Sequence, residues 1–203
     1  MKSTSLAVIL VLLLAGAAAA ATIDFRNAPF SGATGADGKT TFSALGVTLT
    51  AGPSGARLYQ DSTDGIGVRY SYETDEIEGR ERINIGFLTP VYLSSVLLTD
   101  LFYEGNYREQ GFYQLNGTGS WISFQADPSQ IPVSTNGELS LLFGPNNIVS
   151  SIMFRAPGFL FPNQYHEFSI AQIEASAVPI PAAAWLLGTG LVGLVALRRR
   201  KST

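Results

Sequence analysis

The sequence predicts an all-β fold, an antiparallel β-sandwich with jelly-roll-like topology, lying between two apolar chain ends. In the centre, Ile83, Ile85 and Phe87 alternate with Asn84 and Gly86, which is the period of a half-buried strand. Glycine, proline and asparagine punctuate the chain between such runs. No central stretch keeps a helical period. Many short strands separated by turns are typical of sandwiches.

The candidate strands are short runs rich in β-branched, aromatic or alternating apolar residues. In chain order they are residues 46–51, 57–60, 66–72, 83–87, 93–99, 110–115, 121–125, 138–143, 148–155 and 167–174. Turn dipeptides separate many of them, among them Asp64-Gly65 and Asn116-Gly117. The sequence contains no internal repeat, so a single domain is expected over residues 22–177.

The first residues have the pattern of a signal peptide, predicted to span residues 1–21. Lys2 is followed by an unbroken apolar run over residues 6–14 and then by alanines. Ala19 and Ala21 place small side chains at the −3 and −1 positions of a cut before Thr22. Signal peptidase requires small residues there, so this enzyme is an expected partner. The apolar run is too short to span a bilayer unaided.

The last residues predict one short transmembrane helix. Pro179 and Pro181 mark its start, because proline does not fit inside a regular helix. Residues 182–197 are uncharged and would extend roughly 24 Å, so a membrane span is feasible if the flanking cations snorkel. The membrane stop is the cluster Arg198, Arg199, Arg200 and Lys201. By the positive-inside rule this cluster stays in the cytoplasm and the central domain lies outside.

This tail resembles the PEP-CTERM sorting signal, in its variant with the pattern Val-Pro-x-Pro-Ala. The sorting motif is Val178, Pro179, Ile180 and Pro181, and the whole signal covers residues 178–201. The resemblance implies a Gram-negative source that makes exopolysaccharide, and processing by the membrane enzyme exosortase. It implies a protein tethered to the inner membrane and then placed at the cell surface or outside. Ile180 stands where the commoner signal has Glu.

Composition limits the chemistry of the central domain. The chain has no cysteine, so neither disulfides nor a Cys–His dyad can form. The formal net charge is −3, although the basic cluster at the C-terminus contributes positively. The central domain is therefore more acidic than the whole chain, and nucleic-acid binding is disfavoured.

The densest charge cluster, residues 73–82, admits two interpretations. One is a solvated connection between two strands. The other is a structural calcium site, because Asp75, Glu76 and Glu78 offer some of the oxygens that Ca²⁺ requires. Their spacing does not match an EF-hand, and no other cofactor is expected.

No residue is predicted to be catalytic. Residues 33–40 match a loose P-loop pattern, but no helix signal follows, so a surface loop is expected. His166, the one histidine, is expected at the surface or at a strand edge. Tyr103 and Tyr107 lie among polar residues and could stack on sugar rings. The leading hypothesis is a non-enzymatic surface or matrix protein that binds exopolysaccharide. The alternatives are a secreted polysaccharide hydrolase and a purely structural envelope protein.

Overall fold

The computed structural model describes residues 20–70, 76–104, 107–127, 137–145, 147–158, 166–178 and 190. Apart from Gly190, which is helical, the regular structure of these residues is strand. Every strand pairing is antiparallel, and one sheet contains 11 strands. The predicted all-β, antiparallel class is confirmed.

The strands are numbered in chain order. They are β1 (Ala21–Asp24), β2 (Thr41–Ala44), β3 (Val47–Gly52), β4 (Arg57–Asp61), β5 (Gly65–Arg69), β6 (Arg82–Thr99), β7 (Tyr103–Glu104), β8 (Tyr107–Arg108), β9 (Gln110–Leu115), β10 (Ile122–Gln125), β11 (Leu139–Leu142), β12 (Ile148–Arg155) and β13 (Ser169–Ala177). The connected path of the large sheet is β10-β9-β12-β6-β13-β5-β4, and β7 pairs only with β8.

The central element is β6, a strand of 18 residues. Its first half pairs with β3 and β12, and its second half pairs with β13 and β11. The ladder to β12 is interrupted, because Gly86 lies opposite Ser151 whereas Val91 lies opposite Val149. Pro90, which has no N–H to donate, falls inside this interruption. The two predicted strands 83–87 and 93–99 are therefore parts of one strand.

The two ends of β6 lie close to each other. Phe154 is the register partner of Ile83 near the start of β6, and Phe168 directly precedes the residue that pairs with Thr99. The rings of Phe154 and Phe168 have centroids 6.4 Å apart. A straight strand of this length would separate its ends by roughly 55 Å. We conclude that β6 bends sharply, and the interrupted segment of residues 87–90 is where its ladder permits the bend.

One hydrophobic core fills the space inside this bend. Both halves of β6 contribute fully buried side chains, namely Ile83 and Ile85 from the first half and Val96 and Leu98 from the second. An aromatic cluster of Phe124, Phe154 and Phe168 joins strands from both halves, with edge-to-face contacts between its rings. The side chains of β3 alternate between this core and the solvent: Val47 and Leu49 are buried, while their neighbours are exposed.

Two tight turns have both central residues in the left-handed region, as type I′ hairpin turns require. In the predicted turn after β9, φ is 56° at Asn116 and 63° at Gly117. The Asn116 Oδ1 atom also accepts a hydrogen bond of 2.7 Å from the backbone N–H of Ser150. The turn between β2 and β3 has φ of 48° at Leu45 and 78° at Gly46. Leucine is unusual there, because its Cβ crowds the backbone in this conformation.

We expect Leu45→Asn to raise the free energy of unfolding by about 0.5–1 kcal/mol, because asparagine tolerates the left-handed conformation. The matched reverse change, Asn116→Leu, should lower it by about 2 kcal/mol, because it adds strain and removes the side-chain hydrogen bonds to Ser150. Urea denaturation of both variants measures these differences. Destabilisation by Leu45→Asn would show that the Leu45 side chain supports the fold.

Candidate functional site

The residues predicted to direct export lie mostly outside the described part of the chain. Ala19, Pro179, Ile180 and Pro181 are outside it, and so is the stop formed by Arg198, Arg199, Arg200 and Lys201. Ala21 is the first residue of β1 and pairs with Ala175, while Val178 directly follows β13. Among the residues that are described, no helix is long and apolar enough to cross a membrane. The signal peptide and the sorting signal stay predictions.

Over its described residues, 76–82, the acidic segment before β6 buries two of its carboxylates, so the interpretation as a solvated connection is wrong for these residues. Glu78 is 7% exposed and Glu81 is 2% exposed, and Ile77 between the strands is fully buried. The reason is that this segment packs inward, with the Ile77 N–H donating to the Phe168 carbonyl at 2.8 Å. It therefore closes one side of the core.

Two of the three candidate calcium ligands lie in the described part of the chain. Asp75 lies outside the described residues, whereas Glu76 is half-buried and Glu78 is buried. In the described ranges, no group of three or more His, Cys, Asp or Glu side chains is placed to hold a metal ion. A structural calcium ion stays a prediction.

An open cleft of about 390 Å³ lies where β5 ends and β6 begins. Charged and aromatic side chains dominate its wall: Tyr70, Arg80, Glu81, Arg82 and Arg155. Tyr70 is 47% exposed, so its ring is accessible at the cleft. A concave surface that combines arginines with an accessible aromatic ring is suited to a polar ligand of negative charge.

Arg82 and Arg155 are direct partners across the ladder between β6 and β12. Directly opposed residues share a face of the sheet, and like charges in such a pair destabilise it. Within the described part of the chain, neither arginine has an ion-pair partner, since the salt bridge found there joins Arg26 to Asp24. Two arginines without an ion-pair partner on one face of the sheet present positive charge on which an anion can bind.

Contacts with neighbouring strands fix the directions in which the two arginine side chains extend. Gly52 is the β3 partner of Arg82, and a Cβ placed on Gly52 would lie 2.7 Å from the Arg82 Nε atom. The Arg82 side chain therefore lies across the bare glycine. On the other side, the Arg155 guanidinium lies over Trp121, 4.4 Å from the ring centroid, and over Phe112 at 5.3 Å. These contacts hold the guanidinium by cation–π attraction.

Glu81 is the buried acid of the cleft. One carboxylate oxygen, Oε2, accepts the Glu78 N–H at 3.1 Å, and the Tyr70 backbone also donates to this carboxylate. The other oxygen, Oε1, is buried and has no hydrogen-bond partner among the described residues. Burial, reinforced by the charge of Glu78, raises the pKa of Glu81 to about 7. Near neutral pH the side chain thus exchanges between an acid and a carboxylate.

Two other residues singled out in the sequence have structural roles. His166 is 7% exposed, so the expectation of a surface position is wrong, and burial lowers its pKa. Tyr103 packs against the core with the Arg108 guanidinium 5.1 Å from its ring centroid, so it does not form an exposed sugar platform. Residues 33–40 form turns followed by β2, as expected of a loop.

Sequence reasoning missed the paired arginines. Arg82 was visible only as the last residue of the charge cluster, and Arg155 only as the end of a candidate strand. Their pairing depends on the register of two strands that are far apart in the chain, which no local pattern encodes. A search of protein-family models and of curated proteins finds no match to this chain.

We expect Glu81→Gln to change how stability depends on pH. The folded-state pKa of about 7 exceeds the usual value of 4.5, so the folded protein holds this proton more tightly. Its contribution to stability is present below pH 4.5 and is lost as the pH rises through 7. As the pH rises from 5 to 8, the free energy of unfolding of the variant should therefore increase by about 2 kcal/mol relative to that of the wild type.

Chemical denaturation of both proteins at the two pH values measures this gain. Glutamine keeps an oxygen for the backbone donors of Glu78 and Tyr70, so the comparison isolates the charge. An equal pH dependence in the two proteins would contradict the raised pKa.

Proposed function

We propose that this chain is an exported bacterial surface or matrix protein that binds an acidic exopolysaccharide and catalyses no reaction. The predicted signal peptide sends the domain across the inner membrane, and the predicted sorting signal holds it there until exosortase acts. After processing, the domain would lie at the cell surface or in the extracellular matrix. The fold we propose for it is a β-sandwich with jelly-roll-like topology.

The bend of β6 supports the sandwich. The first half of β6 pairs with β3 and β12, and the second half with β13 and β11. Because both halves bury residues in the same core, these two groups of strands face each other across it. Two antiparallel layers around one core are the architecture of a sandwich.

The observation that carries the ligand proposal is the pairing of Arg82 with Arg155. A carboxylate bound in the cleft offsets the positive charge of these arginines and accepts charge-assisted hydrogen bonds from them. Uronic acids present such carboxylates at regular intervals along a polysaccharide. Tyr70 lines the same cleft and offers an accessible ring face to sugars. An acidic polysaccharide can contact both the arginines and the aromatic ring, whereas a neutral polysaccharide leaves the arginines without a counter-charge.

We expect Arg82→Ala and Arg155→Ala each to weaken binding of a polyuronate by about tenfold, because each removes one charge-assisted contact. Isothermal titration with a uronate oligosaccharide measures the change. Arg57→Ala is the matched control, because Arg57 is an exposed arginine of β4 outside the cleft and should retain full affinity.

A neutral polymer of similar length completes the design. Equal binding of the neutral and acidic polymers, or equal loss in the Arg57→Ala control, would contradict specific recognition at this cleft. Absence of binding to either polymer would leave the purely structural envelope protein as the better hypothesis.

One observation favours a secreted hydrolase as the second candidate. Glu81 is buried beside the cleft with its pKa raised to about 7, as a general acid requires. Glycoside hydrolysis needs a second carboxylate at a defined distance from the first. Incubation of the acidic polymer with the wild type and with Glu81→Gln separates the candidates. Cleavage by the wild type alone would establish the hydrolase.

We expect the sorting signal to be removed in the native host only when exosortase is present. Intact-mass analysis should then find a chain that ends near residues 178–181 in the wild-type strain, and the full tail in a strain that lacks the enzyme. Fractionation should place the unprocessed form with the inner membrane. An intact tail in both strains would refute sorting by exosortase.

A further inference from the structure

Two exposed leucines lie on neighbouring loops at the bend of β6. Leu45 is 60% exposed in the turn between β2 and β3, and Leu88 is 86% exposed inside the interrupted segment of β6. The Leu88 N–H donates to the Gly46 carbonyl at 2.8 Å, so the two loops are tied together. Because both leucines line the same groove, we describe the pair as one apolar projection.

An apolar groove of about 390 Å³ lies beside this projection. Both leucines line it, together with apolar residues of the neighbouring strands, which include Ala21, Ile23, Phe87 and Ala177. No lining residue has a charged side chain. We call the two leucines and this groove the apolar end. Contiguous apolar surface of this kind marks an interaction site more often than isolated exposed residues do.

Leu45 is unfavourable here for the isolated domain on two counts. Its φ of 48° crowds a branched side chain, and the side chain is exposed to solvent. Asparagine or aspartate would relieve the strain at this turn position and would also hydrate well. A leucine that costs stability in the free domain is understandable if its side chain has an apolar partner.

The covalent chain indicates which partner this is. Ala177 lines the groove, and the next residue, Val178, opens the predicted sorting motif. Residues 178–181 span at most about 14 Å before the predicted transmembrane helix begins. Thr22, the first residue after the predicted signal peptide, lines the same groove at the other chain end. The chain therefore leaves the domain for the predicted membrane tether at the apolar end, and the N-terminus left by the predicted cut lies at the same end.

We propose that the apolar end rests on the lipid bilayer, with Leu45 and Leu88 inserted at the boundary between headgroups and acyl chains. This inference rests on the proposed membrane tether. Apolar side chains at that depth leave water, and uncharged surroundings avoid the cost of placing charge near lipid. The predicted cut before Thr22 would leave an α-amino group beside the groove, where lipid phosphates supply a counter-charge.

The contact would orient the ligand-binding cleft. Arg82 is the first residue of β6 and Phe87, beside the apolar end, is its sixth. The strand between them extends roughly 17 Å. With the apolar end on lipid, the arginines face away from the membrane toward the extracellular polymer.

Depth-dependent quenching tests the proposal on the full chain. The chain has no cysteine, so Leu88→Cys and Ser62→Cys each introduce a unique labelling site. Ser62 is the matched control, because it is exposed in the turn between β4 and β5, a turn tied to the far end of β6 by the Thr99 hydroxyl donating to the Asp64 carbonyl. Each variant is labelled with a nitrobenzoxadiazole dye and reconstituted in phosphatidylethanolamine–phosphatidylglycerol vesicles that contain nitroxide lipids.

We expect the nitroxide lipids to quench the dye on Leu88→Cys at least about twofold more than the dye on Ser62→Cys. Adding Leu45→Asn to the Leu88→Cys variant should reduce this quenching, although the turn itself becomes more favourable. A thermal melt of the combined variant confirms that it is folded.

Protease protection of the C-terminal tail reports whether the membrane tether has formed, and so separates failure of the lipid contact from failure of the tether. Equal quenching of the two variants with a protected tail would overturn the inference and leave the tether intact. Quenching that depends on protein concentration and not on nitroxide lipid would assign the apolar end to a second copy of the chain, and would also overturn it. An accessible tail with strong quenching of Leu88→Cys would refute the tether and leave the lipid contact standing.

Discussion

The bend of β6 is the constraint on which the rest of the structure depends. A strand of 18 residues that stayed straight would expose one face of the sheet along its whole length. The bend instead turns Ile83 and Ile85 toward the same interior as Val96 and Leu98, so one strand supplies both walls of one core. The interruption at residues 87–90 releases the ladder there, and Pro90 loses no hydrogen bond because its position needs none. The aromatic contact between Phe154 and Phe168 then closes the far end.

The bend also separates two surfaces of opposite character. Loops and chain ends meet at the bend, where the strands stop pairing, and this is where the exposed leucines lie. The free ends of β6 meet on the other side of the core, where Arg82 opens the strand beside the buried Glu81. Both regions lie at the ends of ladders, where the strands begin, end or are interrupted. Because the core between these two regions already stabilises the fold, the side chains in them are available for contacts with partners.

Local pattern predicted much of the fold and little of the site. Strand β12 was predicted with its observed bounds, because turn residues flank a run of apolar and β-branched side chains. The Asn116-Gly117 turn was predicted because few other dipeptides adopt two positive φ angles without strain. The continuity of β6 was missed because Pro90 and exposed Leu88 look like a break between strands. The burial of Glu81 was missed because charge alone suggests solvent, and only the packing of Ile77 shows otherwise. The pairing of Arg82 with Arg155 depends on long-range register, which the sequence does not display.

The residues that lower the stability of the free domain are the ones that indicate its partners. Opposed arginines repel each other, a buried carboxyl oxygen without a hydrogen-bond partner loses its hydration, and a leucine with positive φ is strained. None of these features adds apolar packing to the core, since the paired arginines and Leu45 lie outside it and Glu81 is polar. Each penalty has a natural counterpart in a ligand: an anion for the arginines, a hydroxyl group for the carboxyl oxygen and an acyl chain for the leucine. In the function we propose, an acidic polysaccharide would supply the first two and a membrane the third, so a tethered protein that faces its polymer would relieve all of them at once.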